Sequence, residues 1–415
     1  MSKIIKIVVV GTGFGGVYAL KNLHKIFHGD KNIDITLIGE KNYFLFTPLL
    51  HEVATGGIDP GNIIEPIRKI IKCCLNNFYL GKVKFINTKE KIVEVGEKKI
   101  QYDYLILANG AETNFYDIKG ARENSLTLKS LDDAMRIKKH CLLQIEKASN
   151  ITDKLERKRM LNFIVVGGGP TGVELVAELQ ELLKETFPRY YEKKIINDIS
   201  VTLIHKGKEL LTQLGVKLRI KSLKVLKKKG INVMLETGVI EVFSSSVTLD
   251  DGKEIKTENV IWVAGIKPVE IKFDEEIKKT QSGQIIVNDC LQIENHPEIF
   301  AIGDIASIKP KNMDTSLPAL AQVAVKESEN VTENIKLLVN GKNTKPLIYH
   351  NSGNLVSLGQ WMAVGEISNF SFSGHIAWWI WRTIYLSKMI SFRKKLKVAM
   401  DWTINLFLPR DISKI

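Results

Sequence analysis

Two glycine clusters, each set between a β-branched apolar run and a helical pattern, constrain this chain more than any other feature. Gly11-Thr-Gly13-Phe-Gly15-Gly16 follows the run from Ile4 to Val10 and precedes Val17, Leu20, Leu23 and Phe27 on helical spacing, then a second run from Ile33 to Ile38. Gly167-Gly168-Gly169-Pro170-Thr171-Gly172 repeats that grammar after Phe163 to Val166, with Val173, Val176, Leu179 and Leu183 behind it and a further run from Ile199 to Ile204. The two clusters lie 156 residues apart, so the repeat is of domain size and reads as a duplication, not a solenoid. Strand, glycine turn, helix and strand in this order leave bare amide N–H groups at a helix N-terminus, where the dipole favours a pyrophosphate and a Cβ at the leading glycines would block its approach.

The residues that end each unit differ. Glu40, 24 residues after Gly16, stands where a carboxylate accepts hydrogen bonds from a ribose. The second unit has His205-Lys206-Gly207-Lys208 at the matching place, where a cation tolerates a 2′-phosphate; a solvated basic turn is the equal alternative. Pro170 suits a first helical turn, and Glu174 is expected in that same turn, favoured by the dipole and available to position a nicotinamide or move a proton. Return strands are expected at Tyr104–Ala108 before Asn109-Gly110 and at Val260–Ala264 before Gly265. A strand over Ile299–Ile302 closes on Gly303-Asp304, where the carboxylate either contacts a flavin or caps a helix. Two dinucleotide folds in one chain point to a flavin enzyme reduced by a nicotinamide.

Composition supports this. A chain of 415 residues predicts two or three domains, and 44% hydrophobic with 25% charged residues is that of a globular protein. Four cysteines (Cys73, Cys74, Cys141, Cys290) show no Cys-x-x-Cys, so neither a disulfide framework nor a zinc site is expected; Cys73 and Cys74 read as packing residues. The opening Met-Ser-Lys-Ile-Ile-Lys runs straight into the first strand, so no targeting leader is expected, and a reducing cytosol is. The formal charge of +13 suits nucleic acid, an anionic bilayer or an anionic ligand equally.

These residues resemble the type II NADH:quinone oxidoreductases, single-chain FAD enzymes with two dinucleotide-binding domains. The resemblance spans nearly the whole chain. It rests on Gly11 to Gly16, on the stretch from Asn42-Tyr43 through Phe46-Thr47-Pro48-Leu49-Leu50-His51-Glu52-Val53-Ala54-Thr55-Gly56, and on Gly167 to Glu174. It continues through Ala301-Ile302-Gly303-Asp304, Pro318-x-x-Ala321-Gln322-Val323-Ala324 and the tryptophan-rich tail. It implies that Gly11, Gly13, Phe14, Gly15, Gly16, Glu40, Thr47, Ala108, Gly110, Asp304 and Ala321 serve FAD. Gly167, Gly169, Pro170, Thr171, Gly172, Glu174, His205 and Gly265 would serve NADH, with NADPH admissible. Gln322 would line the quinone pocket. The family usually reads Ala-Gln-x-Ala-x-Gln, whereas this chain has Lys326 in the last place. Four residues apart on a helix, Gln322 and Lys326 share a face, and an ammonium there, if buried, would stabilise the anion formed during reduction; a surface lysine is the alternative. Glu174, Gln322 and Lys326 are therefore the expected catalytic residues, and no metal is expected.

The tail supplies a membrane term. Five of the six tryptophans follow residue 360, and His375–Ile415 holds eight Lys or Arg against Asp401 and Asp411. The apolar stretch from Ile376 to Leu386 is interrupted by Arg382 and as a helix reaches only roughly 17 Å, against roughly 30 Å of hydrocarbon. Helices lying on an anionic leaflet are expected, with a dimerisation or core helix pair as the alternative and no nucleic-acid module. The expectation is an α/β protein: an FAD domain in two pieces (1–118 and 273–369), an inserted NAD(P)H domain (119–272) and a C-terminal amphipathic membrane-surface segment (370–415). The function implied is NAD(P)H:quinone oxidoreduction without proton pumping, peripheral on the cytoplasmic face of the inner membrane, with a homodimer left open. A soluble reductase with another acceptor and a non-catalytic redox-sensing FAD/NAD(P) binder are the rivals.

Overall fold

A computed structural model describes residues 4–71, 77–368 and 370–413; Cys73 and Cys74 fall outside the described residues. The principal elements run, in chain order, β1 (Ile5–Val10), α1 (Phe14–Phe27), β2 (Ile33–Gly39), α2 (Leu50–Ala54), β3 (Tyr104–Leu107), β4 (Asn162–Val166), α3 (Pro170–Glu181), β5 (Ser200–Ile204), β6 (Asn259–Trp262), β7 (His296–Ala301), α4 (Ala321–Val339), α5 (His375–Lys388) and α6 (Phe392–Phe407). The chain divides into two compact units: residues 1–45, 64–112 and 266–351 form the first, and residues 46–63, 113–265 and 352–415 the second.

The first unit is built on a six-stranded sheet in the order Gln292–Ile293, β7, β3, β1, β2, Asn77–Leu80. β1 pairs parallel with β2 and β3, and β3 with β7, and their buried stretches, Ile7–Val10, Leu37–Ile38, Leu105–Leu107 and Ile299–Ala301, are apolar throughout. α1 turns Val17, Ala19, Leu20 and Leu23 inward and packs on α4, whose Val323, Ala324, Val331 and Ile335 are buried. Both stripes follow the helical period.

The second unit repeats the plan with five parallel strands, Leu126–Thr127, β6, β4, β5 and Asn232–Met234. Every residue of α3 from Gly172 to Glu181 is buried, three glutamates among them, so this is an interior helix and not a surface one. The tail belongs to this unit. Trp378, Trp381 and Trp402 are 1–3% exposed, and α5 packs against a small antiparallel sheet of Asn354–Ser357, Ala363–Ile367 and Phe370–Gly374. Among the described residues, no helix is long and apolar enough to cross a membrane.

Candidate functional site

The two glycine turns are near copies. Gly13 and Gly169 are the N-caps of α1 and α3, neither helix end is closed by a side chain, and a Cβ built on either glycine would meet no protein atom within 4 Å. Both helix ends thus leave their first amides facing open space, as a pyrophosphate requires. The third glycine of each motif does something else: a Cβ on Gly16 would stand 2.0 Å from the Gly11 carbonyl oxygen, and one on Gly172 1.8 Å from that of Gly167. Those glycines let helix and strand close up. The residues fit a dinucleotide at each turn, FAD at the first and NAD(P)H at the second.

Around the first turn, Phe14 packs edge-on against Phe44 at 5.0 Å, Ala108 is buried at the end of β3, and Glu40 is exposed just beyond β2. Gly110 is half-buried. Asp304 sits in a short 3-10 turn after β7, and the Gly303 amide that opens this turn donates to Glu327 of α4 at 2.5 Å. Glu327 is buried, and burial, opposed by that hydrogen bond and reinforced by Asp304, pushes its carboxyl up to about 8. Ala321 opens α4, and the neighbouring Gln322 meets Tyr349. Lys326 is exposed and pairs with Glu329 at 2.8 Å. Lys326 thus stands on the outer side of α4, which turns its inner face through Val323, Ala324 and Glu327. Thr47, in the second unit, is exposed at the start of a 3-10 turn that leads into α2.

Around the second turn, His205 folds back, and its Nδ1 accepts from the Gly168 amide at 3.2 Å. Burial lowers its pKa, so at neutral pH it is a neutral acceptor holding the glycine turn; the cations beside it are the exposed Lys206 and Lys208. Pro170 and Thr171 open α3, and Gly265 follows β6, its neighbourhood occupied by Tyr116. Glu174 is not in the first turn. Because α3 begins at Pro170, no acid lies there and Glu174 enters the second turn, buried to 6% exposure, where solvent exclusion and not the dipole governs it.

That exclusion exposes what residue patterns missed. Glu174, Glu178 and Glu181, at i, i+4 and i+7 of α3, are all buried and face further polar groups of the same unit. Glu174 Oε1 accepts from the Ser357 amide at 3.1 Å, and its Oε2 lies 3.6 Å from His51 Nδ1 on α2. Burial, aided by Glu52 and Glu178, pushes Glu174 up to about 8; burial pushes His51 down to about 4, so the imidazole is neutral. Glu52, raised to about 8 by burial and by Glu178, accepts from Trp402 Nε1 at 2.6 Å. Arg410 donates to Glu178 at 2.5 Å, to Glu181 at 3.0 Å and to Thr55 Oγ1 at 3.0 Å. Burial opposes the charge on Glu178, but Arg410, with Lys229 behind it, outweighs burial and holds the carboxyl below its usual range. Arg382 stacks over Trp378 and Trp402, its guanidinium carbon 3.6 and 4.7 Å from the ring centres. The available signal was three glutamates at helical spacing in an otherwise apolar helix, which imitates a solvated stripe.

Comparison with known proteins gives this geometry a family. Residues 5–328 match the model described as pyridine nucleotide-disulphide oxidoreductase, and residues 351–411 that of the NDH2 C-terminal domain. A probable NADH dehydrogenase of Dictyostelium discoideum is 32% identical, with 98% of this chain and 91% of the relative covered. A type II NADH:quinone oxidoreductase of Mycobacterium tuberculosis is 30% identical over 98% and 89%. The fold of an NDH2 from Plasmodium falciparum solved with NADH superposes with a TM-score of 0.92 at 24% identity, covering 99% of this chain and all of that one.

Proposed function

The chain belongs to the type II NADH:quinone oxidoreductases, and on that premise we propose how its residues divide the work of taking electrons from NAD(P)H through FAD to a quinone. It is a flavoprotein oxidoreductase, and bound FAD supplies the two-electron chemistry linking nicotinamide oxidation to quinone reduction. In the first unit the open amides at Gly13 hold the pyrophosphate of FAD, Glu40 takes a ribose, and Asp304, steadied by the Glu327–Gly303 bond, meets the remainder of the cofactor. In the second, the amides at Gly169 hold NAD(P)H, and His205 keeps the turn in shape.

Quinol carries two hydrogens. The hydride brings one proton with both electrons, and the second proton comes from solution. Glu174, a buried carboxyl that is neutral near pH 7, supplies a proton or orients the nicotinamide. Gln322 lines the quinone side of α4. The exposed faces of α5 and α6, with Ile376, Trp379, Phe392, Leu396, Met400 and Phe407 amid lysines and arginines, lie on an anionic membrane at its cytoplasmic face.

The observation that carries this assignment is the pair of uncapped helix ends, one of them with a buried acid one turn further in. It is tested by quinone-dependent NADH oxidation with Glu174→Gln, together with flotation on vesicles with and without anionic lipid. Undiminished turnover, or indifference to the vesicles, refutes the corresponding assignment.

A further inference from the structure

The acids behind the nicotinamide turn are not neutralised locally. Glu52 on α2 and Glu174, Glu178 and Glu181 on α3 face three cations: Arg382 of α5, Lys229, and Arg410 beyond α6. Tyr385 of α5 and the neutral His51 complete the titratable groups around Glu174 and its neighbours. Four carboxyls against three cations leave a proton on at least one acid, since an unpaired buried charge is far costlier than a protonated carboxyl.

The contacts decide which. Glu181 receives Lys229 at 2.5 Å, Arg410 at 3.0 Å and the Gln360 amide at 2.7 Å; Glu178 receives Arg410. Glu52 faces Arg382 and Arg410, but burial and Glu178 outweigh them and raise it to about 8, so it too holds a proton near pH 7. Among the described residues no cation is placed against Glu174: it meets the Ser357 amide and neutral His51, while Glu52 and the charge of Glu178 one turn away both oppose its ionisation. Glu178 in turn stays charged because Arg410 is fixed there.

We propose that Arg410, delivered by the C-terminal segment and acting through Glu178, is a positioning residue of the nicotinamide half-reaction that sets the pH at which the Glu174 carboxyl titrates. This rests on Glu174 serving the nicotinamide. The arrangement makes the tail a working part of the dinucleotide site as well as a surface element.

The test uses the FAD-loaded enzyme and two readouts across pH: the rate of anaerobic flavin reduction by NADH, and NAD⁺ affinity by equilibrium titration, which involves no turnover. Glu178→Gln removes the anion and leaves Arg410 with Glu181 as its carboxylate partner, so both profiles should shift to lower pH by about one unit or more. The double variant Glu178→Gln/Arg410→Gln removes the pair together, leaves no stranded charge there to unfold the protein, and should recover part of that shift. Profiles that stay at the wild-type pH in both variants, or a double variant shifted as far as the single, overturn the proposal. Glu174→Gln separates the two levels. If it abolishes the pH dependence while Glu178→Gln moves nothing, only the role of Arg410 falls; if it leaves the wild-type profile intact, the role of Glu174 falls with it.

Discussion

The two glycine turns share a backbone and differ in everything behind it. At the first, α1 backs onto a wholly apolar stripe, the strand-end residue Glu40 is exposed, and the nearby buried acid, Glu327, spends its carboxyl on a backbone amide. At the second, the strand-end residue His205 is turned in upon the glycines, and α3 carries three buried carboxyls into a network with the C-terminal segment. In the proposed assignment the first would seat a cofactor that stays, and the second would surround a ligand that comes and goes with groups whose protonation can change. A dinucleotide fold thus fixes where the phosphates go, while the helix behind it decides what chemistry accompanies them.

The comparison breaks most easily at the close-packed glycines. Gly16→Ala drives a Cβ onto the Gly11 carbonyl and should yield a protein without flavin, whereas Gly172→Ala, equally crowded against Gly167, should keep its flavin and lose at least about tenfold in NADH affinity. Absorbance of the purified proteins and NAD⁺ titration read the two losses. Flavin loss in both variants would mean that the units are not chemically separate.

The tail gives the next effect. Trp402→Ala removes a buried ring and the donor to Glu52, and should cost about 3–5 kcal/mol in urea unfolding; Trp379→Ala, half-exposed, should stay within about 0.5 kcal/mol yet weaken vesicle binding. Equal costs for the two would place both rings alike and undo the distinction between an inner and an outer face.

Glu327 sharpens the contrast between a structural acid and a working one. Its folded pKa of about 8 lies above the 4.5 of an exposed glutamate, so the folded state binds the extra proton, and its contribution to stability falls as pH rises from about 4.5 to about 8. Glu327→Gln keeps an acceptor for Gly303 and should flatten that decline in unfolding measured at pH values across the window, while leaving the pH profile of nicotinamide binding untouched. A decline as steep as in the wild type would show that the carboxyl is ionised throughout. The smallest effect is expected at Lys326, which pairs on the surface with Glu329: Lys326→Gln should change quinone-dependent reoxidation by no more than about fivefold, the ceiling for an exposed ion pair, and a larger change would place the ammonium at the quinone.

Much of the frame was legible in the residues. The expected strands Tyr104–Ala108, Val260–Ala264 and Ile299–Ile302 lie within a few residues of β3, β6 and β7, and the helix after Pro318 is α4, because buried parallel strands and amphipathic helices write their periods plainly. The helix starts were harder. Placing Glu174 one turn too early came from running the first turn one residue too far: Gly169 is the cap, and Pro170 to Val173 already complete that turn. For Lys326 the residues left a site ammonium and a surface lysine both open, because helical spacing fixes which residues share a face but not whether that face looks inward. Beyond the three glutamates at helical spacing, the acid network had no linear signature: His51 and Glu52, Glu174 to Glu181, Lys229 and Arg410 are brought together by folding, and each alone looks like an ordinary surface charge. For the tail, aromatic and basic composition suggested a surface helix with a core helix pair as the alternative, and left open which residues turn inward: Trp378, Trp381 and Trp402 are core.

The most direct test of two dinucleotide seats serving one electron path is anaerobic rapid mixing of the flavin-loaded protein with NADH, followed by mixing with a quinone. Bleaching of the flavin absorbance by NADH, one equivalent per flavin, and its full return on adding quinone is the predicted result. A flavin that NADH fails to bleach, or that quinone fails to restore, would contradict it.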